Sequence, residues 1–135
     1  MGLMELIRRN SDYALRALSY MARFPKGLRF TIAVIARQED IPAAFLRKIF
    51  QRLSVNKIVR SQRGPSGGFY LLREPSRLSL GEIIESTQGC FSLSRCLYAR
   101  DFCSRQRSCR VKIRLSRLQT KIEALLSKAT LGEII

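Results

Sequence analysis

The feature that most constrains the fold is a change in the spacing of apolar residues in the middle of the chain. As far as Leu53, apolar residues recur every three or four positions, which is the spacing of helices. The segments 58–61 and 69–72 then predict two short strands. The residues between them, 63–68, are rich in glycine and proline and predict a tight turn. The chain must therefore combine packed helices with a β-hairpin.

Three helices are predicted before the hairpin. The first begins near Tyr13 with Ser11 or Asp12 as its N-cap, and Thr31 caps the second. Residues 38–40 predict a polar turn. The third helix then starts at Pro42, where the missing N–H costs nothing. We expect this helix to bury one face and expose the other. The buried set is Phe45, Leu46, Ile49, Phe50 and Leu53, and the exposed set is Arg47, Lys48, Gln51 and Arg52.

Two more helices are predicted after the hairpin. Ser79-x-x-Glu82 is a capping box, which opens a short helix that ends at Gly89. A cysteine-rich segment follows, and a last helix runs from about Arg110 to Lys128. Its apolar residues step by four and three, as in a coiled coil. They are Val111, Leu115, Leu118, Ile122, Leu125 and Ala129. We therefore expect three parts: residues 1–89, the loop 90–109, and a dimerisation helix with its tail at 110–135.

Charge indicates a polyanionic partner. The net charge is +15, from 25 Lys and Arg against 10 Asp and Glu. Between residues 41 and 73 there is no acidic residue, and the basic ones fall on a helix, a turn and a hairpin. That distribution fits a phosphate backbone better than a lipid surface, which would favour charges opposite one broad apolar face. The basic residues of this window are Arg47, Lys48, Arg52, Lys57, Arg60, Arg63 and Arg73.

The order helix, turn, helix, hairpin predicts a winged helix-turn-helix over residues 31–73. In that arrangement the second helix enters the major groove of double-stranded DNA, and the hairpin wing lies along the backbone or in the minor groove. Each piece alone also occurs in plain packing modules, but together they favour DNA binding. We expect the glycine N–H groups of the wing to face phosphates. The predicted contacts are Thr31, Pro42, Ala43, Arg47, Lys48, Arg52, Arg60, Ser61, Arg63, Gly64, Pro65, Gly67 and Gly68.

The four cysteines suggest a metal centre. They lie at Cys90, Cys96, Cys103 and Cys109, and the chain has no histidine. Four thiolates can hold a [2Fe-2S] or [4Fe-4S] cluster, whereas structural zinc sites usually pair cysteines two to four residues apart. The alternatives are free thiols or a reversible disulfide. Neighbouring arginines should offset the cluster charge and lower the pKa values of the thiols. They are Arg95, Arg100, Arg105, Arg107 and Arg110.

Three stretches resemble the Rrf2 family of winged helix-turn-helix transcription regulators, in particular its iron–sulfur, IscR- and NsrR-like members. The resemblance implies a homodimeric repressor or activator. It implies Cys90, Cys103 and Cys109 as ligands, with Cys96 or Asp12 of the partner subunit as the fourth. Relatives often carry an acidic residue where this chain has Arg47. The matching stretches are Ser11-Asp12-Tyr13-Ala14-Leu15-Arg16, Ile41-Pro42-x-x-Phe45-Leu46 and Ile58-Val59-Arg60-Ser61-x-Arg63-Gly64-Pro65-x-Gly67-Gly68-Phe69-x-Leu71.

The functional expectation is a DNA-binding regulator that senses iron, redox state or nitric oxide through an iron–sulfur cluster. The alternative is a metal-free regulator of the same fold, controlled by a thiol switch or by a partner protein. No phosphate-binding loop, paired catalytic carboxylates or Cys–His pair points to an enzyme or to a small-molecule substrate. No apolar run is long enough to span a membrane, and no signal peptide is recognisable, so we expect the protein in the cytoplasm.

Overall fold

The computed structural model describes residues 2–99 and 103–135. In these residues the chain is mainly helical and carries a small antiparallel hairpin, as the sequence predicts. Short 3-10 turns occur at Pro75–Arg77, Arg95–Leu97 and Leu131–Ile134. The helices are α1 (Arg9–Ala22), α2 (Ile32–Glu39), α3 (Ala43–Val55), α4 (Leu80–Gln88) and α5 (Arg110–Lys128). The strands are β1 (Val59–Gln62) and β2 (Gly68–Leu71).

The helix-turn-helix is formed by α2 and α3. The Thr31 hydroxyl caps α2 by accepting a hydrogen bond from the Val34 N–H at 3.2 Å, as predicted. The polar turn is shorter than predicted, because α2 continues to Glu39 and ends at Asp40, which adopts a left-handed conformation with φ of 52°. Pro42 then stands immediately before α3, as its N-cap.

The buried face of α3 differs from the prediction at one position. Four of the five expected residues are buried: Leu46, Ile49, Phe50 and Leu53. Phe45 is 49% exposed, so the prediction that it packs in the core is wrong. The reason is helical phase, since Phe45 lies about 100° from Leu46 around the helix axis and falls at the edge of the apolar stripe.

Helix α1 begins at Arg9, four residues earlier than predicted, and neither Ser11 nor Asp12 caps it. Ser11 is fully buried inside the helix. Its hydroxyl lies 2.6 Å from both the Thr87 hydroxyl and the Gln88 side-chain oxygen of α4. A serine in a helix interior is tolerated when its hydroxyl finds such partners. A tertiary contact therefore replaces the predicted cap.

The wing is fixed to the rest of the domain through Phe30. Phe30 and Phe69 exchange backbone hydrogen bonds of 2.8 and 2.7 Å, so residue 30 adds a bridge beside β2. Gly68 makes this approach possible, because its φ is 143° and a Cβ there would lie 2.6 Å from the Phe30 carbonyl oxygen. The strands pair from Val59 opposite Leu71 to Gln62 opposite Gly68.

The C-terminal tail returns to the core of the winged domain. Leu131 is fully buried, and its N–H donates to the Leu78 carbonyl at 2.8 Å. The Leu80 N–H likewise donates to the Ala129 carbonyl at 2.8 Å. The tail that follows α5 thus packs with residues 1–89. The three-part division of the chain stays a prediction.

Helix α5 leaves much of its apolar surface uncovered. Gln119 is its buried residue, whereas Val111, Leu118 and Leu125 are 65, 45 and 68% exposed. These three stand seven residues apart and form one row along the helix. No helix in the described part of the chain is both long and apolar enough to cross a membrane.

We predict that Leu131→Ala destabilises the whole winged domain. The change deletes a fully buried side chain, and such changes cost about 2–5 kcal/mol. The measurement is the free energy of unfolding by denaturant. Ile134→Ala, which truncates a 44% exposed residue of the same tail, is the matched control and should cost far less. Equal stability of Leu131→Ala and wild type would show that the tail is not part of the core.

Candidate DNA interface and cysteine segment

The outward face of α3 is cationic. Arg47 and Lys48 are exposed on the side opposite the buried stripe. Within residues 2–99 and 103–135, neither forms an ion pair. Ala44 and Gln51 are also exposed and lie one turn before and one turn after Lys48 and Arg47. The sequence predicts that Gln51 lies on this face, but neither Gln51 nor Ala44 is among the predicted contacts. Their spacing of three or four residues from Arg47 and Lys48 indicates that they share that face.

Three of the predicted contacts lie at the starts of α2 and α3. The Thr31 hydroxyl is exposed but already accepts the capping bond from Val34. Pro42 is exposed and Ala43 is half-buried at the beginning of α3. Thr31 thus lies at the N-terminal end of α2, and Pro42 and Ala43 lie at that of α3; none of the three carries a long polar side chain.

Arg52 faces a different neighbour from Arg47 and Lys48. One guanidinium N–H, from Nη1, donates to the Thr87 carbonyl in the last turn of α4. Arg52 is therefore engaged inside the protein, although part of its side chain is exposed. Arg52 therefore joins α3 to α4.

The wing presents its cations to solvent. Arg60, Ser61, Arg63, Gly64 and Pro65 are all exposed. No ion pair to Arg63 is found among the residues that the structure describes. Gly64 has a φ of 111° and open space around it. The wing tip therefore leaves room for the close approach of a nucleic-acid backbone.

The remaining glycines of the wing serve the hairpin itself. The Gly67 N–H donates to the Gly64 carbonyl at 2.9 Å, so the expectation that it faces a phosphate is wrong. A Cβ on Gly67 would lie 2.2 Å from the Gln62 carbonyl oxygen. Gly68 is required by its contact with Phe30, described above. Turn geometry explains these two glycines without a ligand.

The structure does not gather the predicted metal ligands. All four cysteines are free thiols; Cys90 and Cys103 are exposed, and Cys96 and Cys109 are half-buried. Within residues 2–99 and 103–135, no three Cys, Asp or Glu side chains are placed to hold a metal. Asp12 instead lies 3.7 Å from Arg16 of its own helix. Arg100, one of the predicted flanking cations, lies outside the described residues.

Cys90 stands in an acidic groove of about 320 Å³ between α4 and α5, which Glu82, Glu85 and Glu123 also line. Its thiol donates to the Glu85 carboxylate at 3.4 Å. This hydrogen bond and the charge of Glu85 raise the pKa of Cys90 above its ordinary value, and Glu123 adds to the effect. The prediction that neighbouring arginines lower the thiol pKa is therefore wrong for Cys90, because its thiol is hydrogen-bonded to a carboxylate.

Two glutamines anchor the backbone of the cysteine segment. The Gln119 side chain accepts from the Leu93 N–H and donates to the Phe91 carbonyl, each at 2.7 Å. Gln106 donates to the carbonyls of Cys96 and Ala99 at 2.7 and 3.0 Å. These hydrogen bonds engage main-chain groups of the segment. The four cysteine sulfur atoms form no disulfide. The donor set thus fits an iron–sulfur cluster in kind, but the described arrangement is not preassembled for one.

The chain is similar to known transcriptional regulators along nearly its whole length. Residues 7–135 match the model of the Rrf2 family, described as an iron-dependent transcriptional regulator. A candidate HTH-type transcriptional regulator of Aquifex aeolicus is 31% identical over 125 residues, which cover 91% of this chain and 86% of that one. The regulator IscR of Escherichia coli is 28% identical over 123 residues, covering 91 and 75%.

The fold is also found among solved structures. CymR, the global cysteine regulator of Bacillus subtilis, superposes with a TM-score of 0.75 at 22% identity, covering 97% of this chain and 96% of that one. At that identity the likeness establishes the winged-helix fold with its long C-terminal helix.

We predict that Glu85→Gln makes Cys90 react faster with iodoacetamide at neutral pH in the metal-free protein. The thiolate is the reactive form, and the substitution removes the carboxylate that raises the pKa of Cys90. Mass spectrometry of alkylated peptides gives the rate at each cysteine, with Cys103 as the internal control. Ser86→Ala, at the next residue of α4, is the control variant. An unchanged Cys90 rate in Glu85→Gln would contradict the assigned contact.

Proposed function

The chain belongs to the Rrf2 family of transcriptional regulators, and from this premise we propose that it reads DNA with α3 and the wing, under the control of the cysteine segment. The observation that carries the proposal is the pairing of two features. Arg47, Lys48 and Arg63 are exposed cations without ion pairs in the described residues. Four free thiols lie in one segment between the winged domain and α5.

The DNA-binding half of the proposal rests on side-chain chemistry. The second helix of a helix-turn-helix lies in the major groove, where Arg and Lys bind guanine edges or phosphates. Arg63 of the wing is placed to follow the phosphates or the negative potential of the minor groove. Arg60, Ser61, Gly64 and Pro65 complete the wing surface. Because position 47 is a cation here, the operator differs from those of relatives with an acidic residue there.

A homodimer is supported by the exposed row Val111, Leu118 and Leu125 on α5. Pairing two such rows would remove apolar surface from water and place two winged domains side by side. Two reading helices about 34 Å apart would then meet successive major grooves on one side of the DNA. Such a regulator acts in the cytoplasm, where its DNA is, and repression by occupying a promoter is the mode that we favour.

The sensing half of the proposal assigns the cysteines. The family description is iron-dependent, and four thiols match the ligand number of an iron–sulfur cluster. Cys90, Cys96, Cys103 and Cys109 would hold it, with Asp12 of the partner subunit as the alternative fourth ligand. When bound, a cluster supplies a group that responds to iron, oxygen or nitric oxide. The protein's own part is to bring four thiols together, which requires the loop to rearrange.

A thiol switch without metal is the second candidate. It is favoured by the exposure of Cys90 and Cys103 as free thiols, which leaves both open to oxidation. The fold shared with CymR is equally compatible with it. In this version the loop conformation is changed by a disulfide between two of the four cysteines, and not by a bound cluster.

We predict that Arg47→Gln with Lys48→Gln weakens DNA binding and reduces its salt dependence. Each lost phosphate contact should lower the slope of log K against log salt by about one. The probe is a duplex that the wild-type protein selects from a random-sequence pool. Arg23→Gln removes an exposed cation at the end of α1 and serves as the control. Wild-type affinity and slope in the double variant would exclude α3 as the reading helix.

We predict that anaerobically purified protein absorbs visible light and contains iron and acid-labile sulfide. Cys90→Ser, Cys103→Ser and Cys109→Ser should each lose most of both. Loss of iron and sulfide in Cys96→Ser but not in Asp12→Ala identifies Cys96 as the fourth ligand, and the opposite result identifies Asp12. Colourless protein without iron or sulfide, but with DNA binding that changes on oxidation, would establish the thiol switch instead.

A further inference from the structure

The last turn of α4 is a meeting point of several elements. The Thr87 hydroxyl is buried and lies 2.6 Å from Ser11 of α1. Gln88 accepts from the Arg8 N–H at 3.0 Å and donates to the Leu6 carbonyl at 2.9 Å. Arg52 of α3 donates to the Thr87 carbonyl. The end of this helix is therefore held by α1, by the N-terminal segment and by α3 together.

The cysteine segment begins directly after this turn. Gly89 ends α4 with a φ of 86°, and its N–H donates to the Glu85 carbonyl at 3.0 Å. Cys90 follows, three residues after Thr87, and its thiol is hydrogen-bonded back to Glu85 of α4. A rearrangement that draws Cys90 towards the other thiols must break or move that bond. The last turn of α4, which directly precedes Cys90, is the regular element nearest to such a rearrangement.

We propose that Arg52 is a positioning residue that couples the cysteine segment to the DNA-reading helix through the Thr87 carbonyl. The Arg52 side chain belongs to α3, and its planar guanidinium is hydrogen-bonded to the end of α4. A carbonyl at a helix C-terminus attracts a cation, because the helix dipole is negative there. Movement of the last turn of α4 is therefore transmitted to the last turn of α3, one turn from Lys48 and next to Gln51 on the same helix.

This role differs from that of a phosphate contact, which the sequence predicts for Arg52. A guanidinium that contacts DNA releases counterions, so its loss lowers the salt slope by about 0.9 for each phosphate. A guanidinium bound to Thr87 does not, and its loss leaves the slope unchanged. The inference rests on the proposed function, because it requires DNA affinity to depend on the state of the cysteines.

The test compares wild type, Arg52→Gln, Arg52→Lys and Lys48→Gln on the same pool-selected duplex. Each protein is measured reduced and after alkylation of its thiols with N-ethylmaleimide, over a series of salt concentrations. We expect alkylation to change wild-type affinity about tenfold, within the ordinary range of coupling between sites. In Arg52→Gln that ratio should fall towards one while the salt slope stays at the wild-type value. Lys48→Gln should show the reverse, with a lower slope and a preserved ratio.

Arg52→Lys keeps a cation beside the carbonyl and should give an intermediate ratio, so it also serves if the glutamine variant does not fold. Thermal unfolding followed by circular dichroism checks both variants. A wild-type ratio in Arg52→Gln, or a slope lowered as in Lys48→Gln, would overturn the role assigned to Arg52. A wild-type protein that is indifferent to alkylation would instead remove the cysteine control itself, and the inference with it.

Discussion

The rest of the structure depends on the hydrogen-bonded contact between Ser11, Thr87 and Gln88. It buries polar groups from α1 and α4 against each other, and buried polar groups are costly unless they are paired. Because the partners are 76 and 77 residues apart, this contact fixes α4 across the N-terminal domain. Arg52 adds α3 to the same point. The position of α3 and the starting point of the cysteine segment are thus set together.

The wing is positioned by an independent constraint. Its strands are short, and a two-stranded hairpin alone is only marginally stable. The bridge from Phe30 to Phe69 anchors it immediately before α2, so the wing and the helix-turn-helix share one base. The close approach at Gly68 permits no side chain. Arg60 and Arg63 are therefore presented on the same rigid unit as Arg47 and Lys48, with no cation of the described α3 or wing surface neutralised by an ion pair.

Sequence was sufficient wherever the determining interaction is local. The Thr31 cap, the Ser79 and Glu82 capping box, the hairpin and the bounds of α5 follow from residues within a few positions of one another. It failed where the partner is distant in sequence. Ser11 is paired with Thr87, 76 residues away, and Arg52 with a carbonyl 35 residues away. Cys90 is a different case: Glu85 is only five residues away, but sequence spacing does not tell which neighbouring charged group meets the thiol and sets the direction of its pKa shift. The cysteine ligand set remains a prediction for the same reason, since spacing counts thiols but does not place them.

We infer that the cysteine segment and α3 move as one unit, joined at the end of α4. Amide hydrogen exchange on the DNA-free protein, before and after alkylation of its thiols, tests this most directly because it reports each segment separately. We expect altered exchange in the last turn of α4 and in α3, as well as in residues 90–109. Changes confined to residues 90–109, with α3 and the end of α4 unaltered, would contradict it.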